Sequence, residues 1–234
     1  MLAIYHALLY QPILNLMVGF YNFLFHDFGL AILALTVIVR GALWPLTHKS
    51  LANQKAMLEI QPKIKEVQEK YKDNKEEQAK AMMAVYAEHK VSPLSSCLPL
   101  LIQLPLFIAL YRVLSAGLKS EGLNDLYSFV SNPGTISTLS LGFLDLSKPS
   151  IVLALLAAAA QFWQAKMMQR KDVAKHADAS KDEDTMAIMN KQMLYMMPAM
   201  TLFIGWKLPA GLTLYWLFTN LAMILQQKIA FKQK

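Results

Sequence analysis

The sequence predicts an all-α membrane protein with five transmembrane helices, a cytoplasmic helical hairpin and an N-terminal interfacial amphipathic helix. Hydrophobic residues make up 55% of the 234 residues and charged residues only 17%, which is apolar for a soluble domain. Long uncharged runs, close to the roughly 20 residues that cross a bilayer, alternate with densely charged loops. A soluble fold needs no such series of uncharged runs, so the pattern indicates a protein embedded in a membrane.

The predicted segments begin and end where the apolar runs give way to charged or Ser/Gly/Asn-rich stretches. In order, they are an interfacial helix (1–28), a first span (29–48), the hairpin (49–90), a second span (91–115), an external loop (116–148), a third span (149–168), a cytoplasmic loop (169–190), a fourth span (191–207), a fifth span (208–228) and a short basic tail (229–234). So few residues join the fourth and fifth spans that only a tight turn fits between them.

The first 26 residues contain no Lys, Arg, Asp or Glu. At about 100° per residue, the polar side chains of this stretch fall within a narrow arc of a helical wheel; they are Gln11, Asn15, Asn22 and His26. Such a stripe favours a helix lying in the interface, with a sixth span as the alternative. A signal peptide is not indicated, because neither a basic n-region nor a small-residue cleavage site is evident.

Residues 49–90 hold nine lysines and seven acidic residues, yet their apolar residues keep a regular spacing. Steps of three and four connect Met57, Ile60, Ile64, Val67 and Tyr71, which is the seam of a coiled-coil-like helix. Pro62 falls within this seam and predicts a kink or the first turn of a new helix. A turn at 72–75 and a second helix complete the predicted hairpin.

Lys and Arg are distributed unevenly between alternate loops, which predicts the orientation. With the N-terminus outside, 18 of the 23 basic residues lie on the cytoplasmic side and three lie outside. The other two, Arg40 and Arg112, lie within spans. Because cytoplasmic loops carry the excess of Lys and Arg, the distribution predicts a five-span topology with the N-terminus out and the C-terminus in.

Arg40 is the most informative residue, because it lies in the cytoplasmic half of the first span. Insertion scales assign about 2.5–3.5 kcal/mol to an Arg at the bilayer centre. Thr36 lies one turn before it and Trp44 one turn after it, so the three form a stripe on one face. No Asp or Glu occurs within a predicted span, and an unpaired Arg at this depth predicts a hydrated cavity between helices. The alternative is that Arg40 snorkels to the inner headgroups.

Other predicted spans supply polar side chains that suit the lining of the same cavity. They are Gln103 in the second span, Gln161 and Gln164 in the third, and Tyr215, Thr219 and Asn220 in the fifth. Each one alone is typical of a hydrogen bond between packed membrane helices. Together with Arg40 they predict one shared polar groove.

Signatures of catalysis, metal binding and cofactor binding are absent from the sequence. It contains no HExxH, GxSxG or Walker A motif, and its five histidines lack metal-ligand spacing. We therefore expect no enzymatic activity, no metal and no cofactor. The net charge of +7 indicates orientation and contact with anionic lipid rather than a nucleic-acid site.

Four motifs between residues 29 and 228 resemble those of one known family, in the same order. Residues 36–47 resemble the first core helix of the YidC/Oxa/Alb membrane protein insertases, and residues 61–65 resemble the start of their cytoplasmic hairpin. Residues 91–105 look like the second core helix of that family and residues 209–220 like the fifth. The resemblance does not include the large external domain of many Gram-negative members or the long basic tail of some others.

The resemblance implies an insertase in the bacterial inner membrane that inserts nascent membrane proteins and helps them fold. In this family five helices form a hydrophilic groove, open to the cytoplasm and the bilayer, and the groove's arginine is matched here by Arg40. No nucleotide is consumed. The candidate groove residues are Thr36, Arg40, Gln103, Gln161, Tyr215, Trp216, Thr219 and Asn220. The implied partners are nascent membrane proteins and membrane lipids, with the Sec translocon and the ribosome as less supported candidates because the basic tail is short.

Two other functions stay open on the sequence alone. A small solute or lipid transporter typically has inverted repeats and paired broken helices, and no such symmetry is evident in this sequence. A purely structural assembly factor would not need Arg40, so removal of that charge separates it from an insertase.

Overall fold

The computed structural model describes residues 2–92, 98–116, 120–168 and 192–232, and most of them are helical. The helices are α1 (Leu2–Tyr5), α2 (Gln11–Phe23), α3 (Phe28–Ala42), α4 (Trp44–Lys70), α5 (Lys75–Glu88), α6 (Leu98–Ala116), α7 (Ile151–Met167), α8 (Met197–Gly205) and α9 (Ala210–Lys232). π-Helical turns at His6–Tyr10 and Gln192–Met196 precede α2 and α8, and a 3₁₀ turn lies at Ser120–Asp125. Two short strands, β1 (Leu139–Ser140) and β2 (Leu144–Asp145), form an antiparallel pair. The prediction of a mostly helical protein is confirmed, and the predicted loop 169–190 lies outside the described residues.

Side-chain caps determine where α3, α5 and α7 begin. The carboxylate of Asp27 accepts a hydrogen bond from the Leu30 amide (3.0 Å) at the start of α3. Asn74 caps α5 in the same way (3.2 Å), and the Ser150 hydroxyl caps α7 (3.4 Å). Each cap pairs an amide that the first turn of a helix otherwise leaves without a partner.

The first predicted span is broken near its predicted cytoplasmic end. α3 ends at Ala42 and α4 begins at Trp44, and the two helix axes differ by 66°. Pro45 accounts for the break, because it has no amide hydrogen to donate to the Gly41 carbonyl and its ring crowds the preceding turn. Arg40 therefore lies in the last turn of α3, immediately before the bend.

Taken one at a time, the helices of the described ranges are each too short or too polar to cross a membrane. Of the described helices, α3 and α4 have the length and composition of a membrane span only when they are taken together across the bend. Shorter apolar helical stretches occur at Leu101–Ser115, Ile151–Met167 and Leu194–Gly205.

α4 and α5 form a hairpin whose interface is a small apolar cluster. Its buried members are Met57, Ile60, Ile64, Tyr86 and Val91. The Gln78 side chain of α5 donates a hydrogen bond to the Gln68 carbonyl of α4 (2.8 Å). Pro62 is exposed and lies inside α4, so the expectation that it opens a new helix is wrong, whereas the alternative of a kink stays a prediction. None of the cluster's members lies in α3, α6 or α9, so the hairpin has an apolar core of its own.

The main apolar core lies between α2, α3, α6 and α9. Its most buried large side chains are Leu14, Met17, Phe28, Ile32, Leu35, Leu110 and Leu212. α7 and α8 pack against α9, and small side chains let α7 and α8 approach each other closely. A Cβ atom on Gly205 would lie 3.3 Å from the Cβ of Ala154, so a larger side chain would have no room there.

The polar stripe of α2 has protein partners in the predicted external loop. The Asn15 side chain donates a hydrogen bond to the Asp125 carbonyl (3.2 Å) and accepts one from the Tyr127 amide (2.6 Å). Gln11 donates to the same Asp125 carbonyl (3.1 Å), and Asn22 donates to another carbonyl of this loop (2.7 Å). The position of this helix in the interface stays a prediction; in the structure these three amides bind the loop, Asn15 is buried and His26 is exposed.

Asp27 ties the start of α3 to the strand pair. Its carboxylate accepts hydrogen bonds from the Ser140 hydroxyl (2.7 Å) and the Leu141 amide (2.6 Å), besides the Leu30 amide of the cap. Burial alone would raise the pKa of Asp27, but the hydrogen bonds favour the carboxylate and hold the pKa below its usual value. Gly29 lies so close that an added Cβ would overlap the Ser140 hydroxyl.

Candidate functional site

Arg40 is half-buried and faces Tyr215 of α9 closely enough for an electrostatic interaction between the two groups. In the described part of the chain, no carboxylate lies within ion-pair distance of its guanidinium group. A guanidinium group carries five N–H donors and stays charged, so it attracts acceptors when it is partly withdrawn from water. Arg40 is therefore available to an acidic or polar group that enters the space beside it.

A hydrogen bond between α6 and α9 lies next to Arg40. The side-chain amide of Gln103 donates to the Tyr215 hydroxyl (3.0 Å). Tyr215 is only 4% exposed and Gln103 is half-buried, so the bond is largely shielded from the surroundings. The Tyr215 hydroxyl keeps its own hydrogen, which can be donated to a further acceptor.

Thr219 lies one turn of α9 after Tyr215, and we refer to Arg40, Gln103, Tyr215 and Thr219 together as the polar recess. Thr219 is 4% exposed, and its hydroxyl has no hydrogen-bond partner among the described residues. Leaving a buried hydroxyl unpaired costs about 1–3 kcal/mol, so water or a bound polar group is the expected partner. Thr36 differs, because its buried hydroxyl donates to the Ile32 carbonyl of its own helix (2.7 Å) and is already satisfied.

Trp216 supplies an apolar wall beside these polar groups. Its ring packs edge-on against Phe107 of α6, with the ring centroids 5.5 Å apart. Trp216 follows Tyr215 in α9, and Phe107 lies one turn after Gln103 in α6. An aromatic pair and a polar pair thus connect the same two helices side by side.

Gln161 and Asn220, two of the predicted groove residues, lie at a different interface. Gln161 of α7 accepts a short hydrogen bond from the Thr201 hydroxyl of α8, and Asn220 donates to the Ala157 carbonyl of α7 (3.2 Å). Asn220 and Tyr215 are five residues apart, which places them about 140° apart around α9. These two amides connect α7, α8 and α9, whereas the recess around Arg40 involves α3, α6 and α9.

Sequence reasoning missed two glutamines near the end of α9. Gln226 is buried and hydrogen-bonded to Thr47 of α4, and Gln227 is fully buried without a described partner. A signal for Gln226 was present, because it lies seven residues after Thr219 and so shares a helix face with it.

Two cavities lie away from Arg40. One, of about 290 Å³, lies between the base of α4 and Ala230 of α9, and its polar lining residues are His48, Lys55 and Glu59. The other, of about 410 Å³, is apolar and lies between α2 and α3. Arg40 lines neither of them and is partly exposed. No group of three or more metal-ligating side chains comes together within the described ranges.

The chain is similar to known proteins over nearly its whole length. The profile of the family described as 60Kd inner membrane protein matches residues 19–234. The chain is 36% identical over 219 residues to the membrane protein insertase YidC of Pelobacter propionicus, covering 93% of this chain and 37% of that protein. It is 32% identical over 207 residues to the membrane protein insertase YidC of Fusobacterium nucleatum, covering 88% of this chain and 87% of that protein.

The fold is similar to that of a solved structure as well. This is an active YidC insertase crystal structure with the first transmembrane domain resolved; the TM-score is 0.61 at 26% identity, over 98% of this chain and 47% of that one. The helical fold of this chain is thus similar to that of a YidC insertase. The chain belongs to the 60Kd inner membrane protein family, so the resemblance drawn from its motifs is confirmed. It spans little more than a third (37%) of the Pelobacter relative.

Proposed function

We propose that this protein is a membrane protein insertase of the bacterial inner membrane. The observation that carries the proposal is Arg40, which is half-buried without a carboxylate partner in the described residues and lies beside the Gln103–Tyr215 hydrogen bond. The buried and unpaired hydroxyl of Thr219 adds a second group that a polar ligand can satisfy. The names of the relatives and of the similar structure support the same function.

The proposed mechanism lowers the cost of carrying a short polar segment through the bilayer. That cost is dominated by removing polar and charged groups from water. Arg40, the Tyr215 hydroxyl and Thr219 offer replacement hydrogen bonds to the hydrophilic segment of a nascent membrane protein. The apolar helix of the substrate then moves into lipid along the open side of the recess. This mechanism breaks no covalent bond and needs no nucleotide.

The proposal includes a five-span topology with the N-terminus out and the C-terminus in. It is supported by the predominance of Lys and Arg in the predicted cytoplasmic segments. Cysteine labelling on intact cells tests it in a protein with Cys97→Ser. A cysteine placed at Asp73, in the hairpin turn, should be protected from an impermeant reagent, and labelling of that cysteine from outside would contradict the topology.

Reconstitution tests the insertion activity directly. The purified protein is placed in liposomes, and a short single-span substrate is synthesised in their presence. We expect protease-protected substrate well above that in protein-free liposomes. Equal protection in the two samples would refute the proposal, and uptake of a small solute without substrate insertion would favour a transporter. Co-purification with a translocon or with ribosomes tests those further partners.

A further inference from the structure

A side chain from α9 binds the first turn of α4, immediately after the bend between α3 and α4. Leu43 is the one residue between the two helices, whose axes differ by 66°. Such a short junction can absorb a change in angle unless contacts elsewhere hold it. Gln226 supplies these contacts, because its side-chain amide donates to the Thr47 hydroxyl (2.7 Å) and to the Trp44 carbonyl (3.2 Å).

The contact between Gln226 and Thr47 is buried and involves both the amide nitrogen and the amide oxygen of Gln226. Gln226 is 2% exposed and Thr47 is 3% exposed. The Thr47 hydroxyl lies 3.1 Å from the side-chain oxygen of Gln226 and 2.9 Å from the Leu43 carbonyl, so its hydrogen can go to either. Loss of the Gln226 amide would remove both bonds to α4, although the Thr47 hydroxyl could still donate to the Leu43 carbonyl. Loss of the Thr47 hydroxyl would leave the Gln226 amide with the Trp44 carbonyl as its partner in α4.

The next residue provides an internal contrast. Gln227 has 0% exposure, and both its amide nitrogen and its amide oxygen lack a partner among the described residues. The two glutamines have the same chemistry and nearly the same depth, but only Gln226 bonds to α4. Substituting each glutamine in turn therefore separates the effect of the hydrogen bonds to α4 from the effect of losing a buried amide in α9.

α9 holds the chain on both sides of the bend. Before the bend, the first turn of α9 packs against α3, where a Cβ atom on Gly211 would lie 3.3 Å from the Ile32 side chain. After the bend, Gln226 of α9 bonds to Thr47 of α4. Gly211 and Gln226 are fifteen residues apart, which is about 22 Å along a helix. Contacts that far apart on one helix restrict the angle between α3 and α4.

We propose that Gln226 and Thr47 form a latch that sets the angle at which the α4–α5 hairpin leaves the recess around Arg40. Gln226 is then a positioning residue for insertion, because it acts through the hairpin and not through contact with the substrate. This role rests on the proposed insertase function, whereas the latch itself does not.

Spin-label distances test the latch without reference to activity. In the full chain with Cys97→Ser, labels are placed at Glu69 of α4 and Lys228 of α9, both of which are exposed. Gln226→Met and Thr47→Val should broaden and shift the distance distribution. Thr47→Ser keeps the hydroxyl and Gln227→Met leaves the latch intact, so both should match the parent. A parent-like distribution for Gln226→Met would overturn the latch.

Insertion rates test the positioning role in the same variants. We expect Thr47→Val, which removes one of the two bonds from Gln226 to α4, to slow insertion by about tenfold. Gln226→Met removes both bonds and should slow insertion at least as much. Thr47→Ser and Gln227→Met should stay near the parent rate. A broadened distribution with an unchanged rate would overturn the positioning role. No insertion by the parent would refute the proposed function, while the distances would still decide the latch. If Gln226→Met fails to fold, Thr47→Val gives the same test from the other side of the bond.

Discussion

Replacement of Arg40 tests whether the recess recruits acidic segments of a substrate. Two unit charges 4 Å apart attract by about 4 kcal/mol at an effective dielectric constant of about 20. Arg40 is half-buried and keeps some contact with solvent, so solvent screening reduces this to about 1–2 kcal/mol. That energy corresponds to about a tenfold change in rate. We therefore expect Arg40→Ala to slow insertion of a substrate with an acidic translocated tail about tenfold.

Two further substitutions at the same position sharpen the test. Arg40→Lys keeps the positive charge but loses the planar fork, so it should retain most of the activity. Arg40→Glu should be slower than Arg40→Ala on the acidic tail, because a like charge repels it. Basic and neutral tails should be affected much less by Arg40→Ala than the acidic tail.

The assay is insertion into liposomes of one substrate carrying an acidic, a neutral or a basic tail, at matched protein levels. Arg112→Ala is the matched control, because Arg112 is exposed and its guanidinium lies over the Tyr5 ring (5.4 Å), away from the recess. Equal rates for Arg40→Ala and the parent on the acidic tail would rule out recruitment. Snorkelling to the headgroups would then be the better account of Arg40.

Three other predictions concern the hairpin and the start of α3. Deletion of residues 49–90 should leave the helical core assembled but abolish insertion, since the hairpin has its own apolar cluster; loss of the folded core in detergent would contradict this. Because hydrogen bonds hold the pKa of Asp27 below its unfolded value of about 3.9, its stabilisation is full above that pH and is lost as the pH falls through the folded pKa. Asp27→Asn should therefore flatten the acid side of a plot of melting temperature against pH, and an unchanged acid side would exclude this role. Gly29→Ala should destabilise the protein by about 1–3 kcal/mol through overlap with Ser140, and Ser140→Gly should restore much of it in thermal unfolding.

Several features of the fold were predictable because they depend on short stretches of sequence. The spacing of Met57, Ile60 and Ile64 predicted a helix with one apolar side, and these residues are buried against α5. The isolated charge of Arg40 among apolar residues predicted an unusual environment, and the residue is half-buried without a described carboxylate partner. The Trp44–Pro45 dipeptide was available as a signal of a helix break, yet the first span was predicted as one continuous segment. The reason is that proline is tolerated in many membrane helices.

The sequence could not predict that the candidate residues lie at two different helix interfaces. Gln103, Gln161 and Asn220 look alike as single polar residues in apolar runs. In the structure Gln103 reaches Tyr215 beside Arg40, whereas Gln161 and Asn220 connect α7 with α8 and α9. Helical periodicity gives the face of a residue on its own helix, but it does not say which helix that face meets.

By itself, the sequence determined the helical class, the order of apolar and charged segments, and the presence of an arginine that no nearby acid neutralises. Each of these depends on composition and periodicity within about 20 residues. Only the tertiary structure decided which polar groups pair. Asn15 meets the amide of Tyr127 across 112 positions of the chain, and Gln226 meets Thr47 across 179. A hydrogen bond needs two atoms about 3 Å apart, and packing of the helices brings such distant residues together.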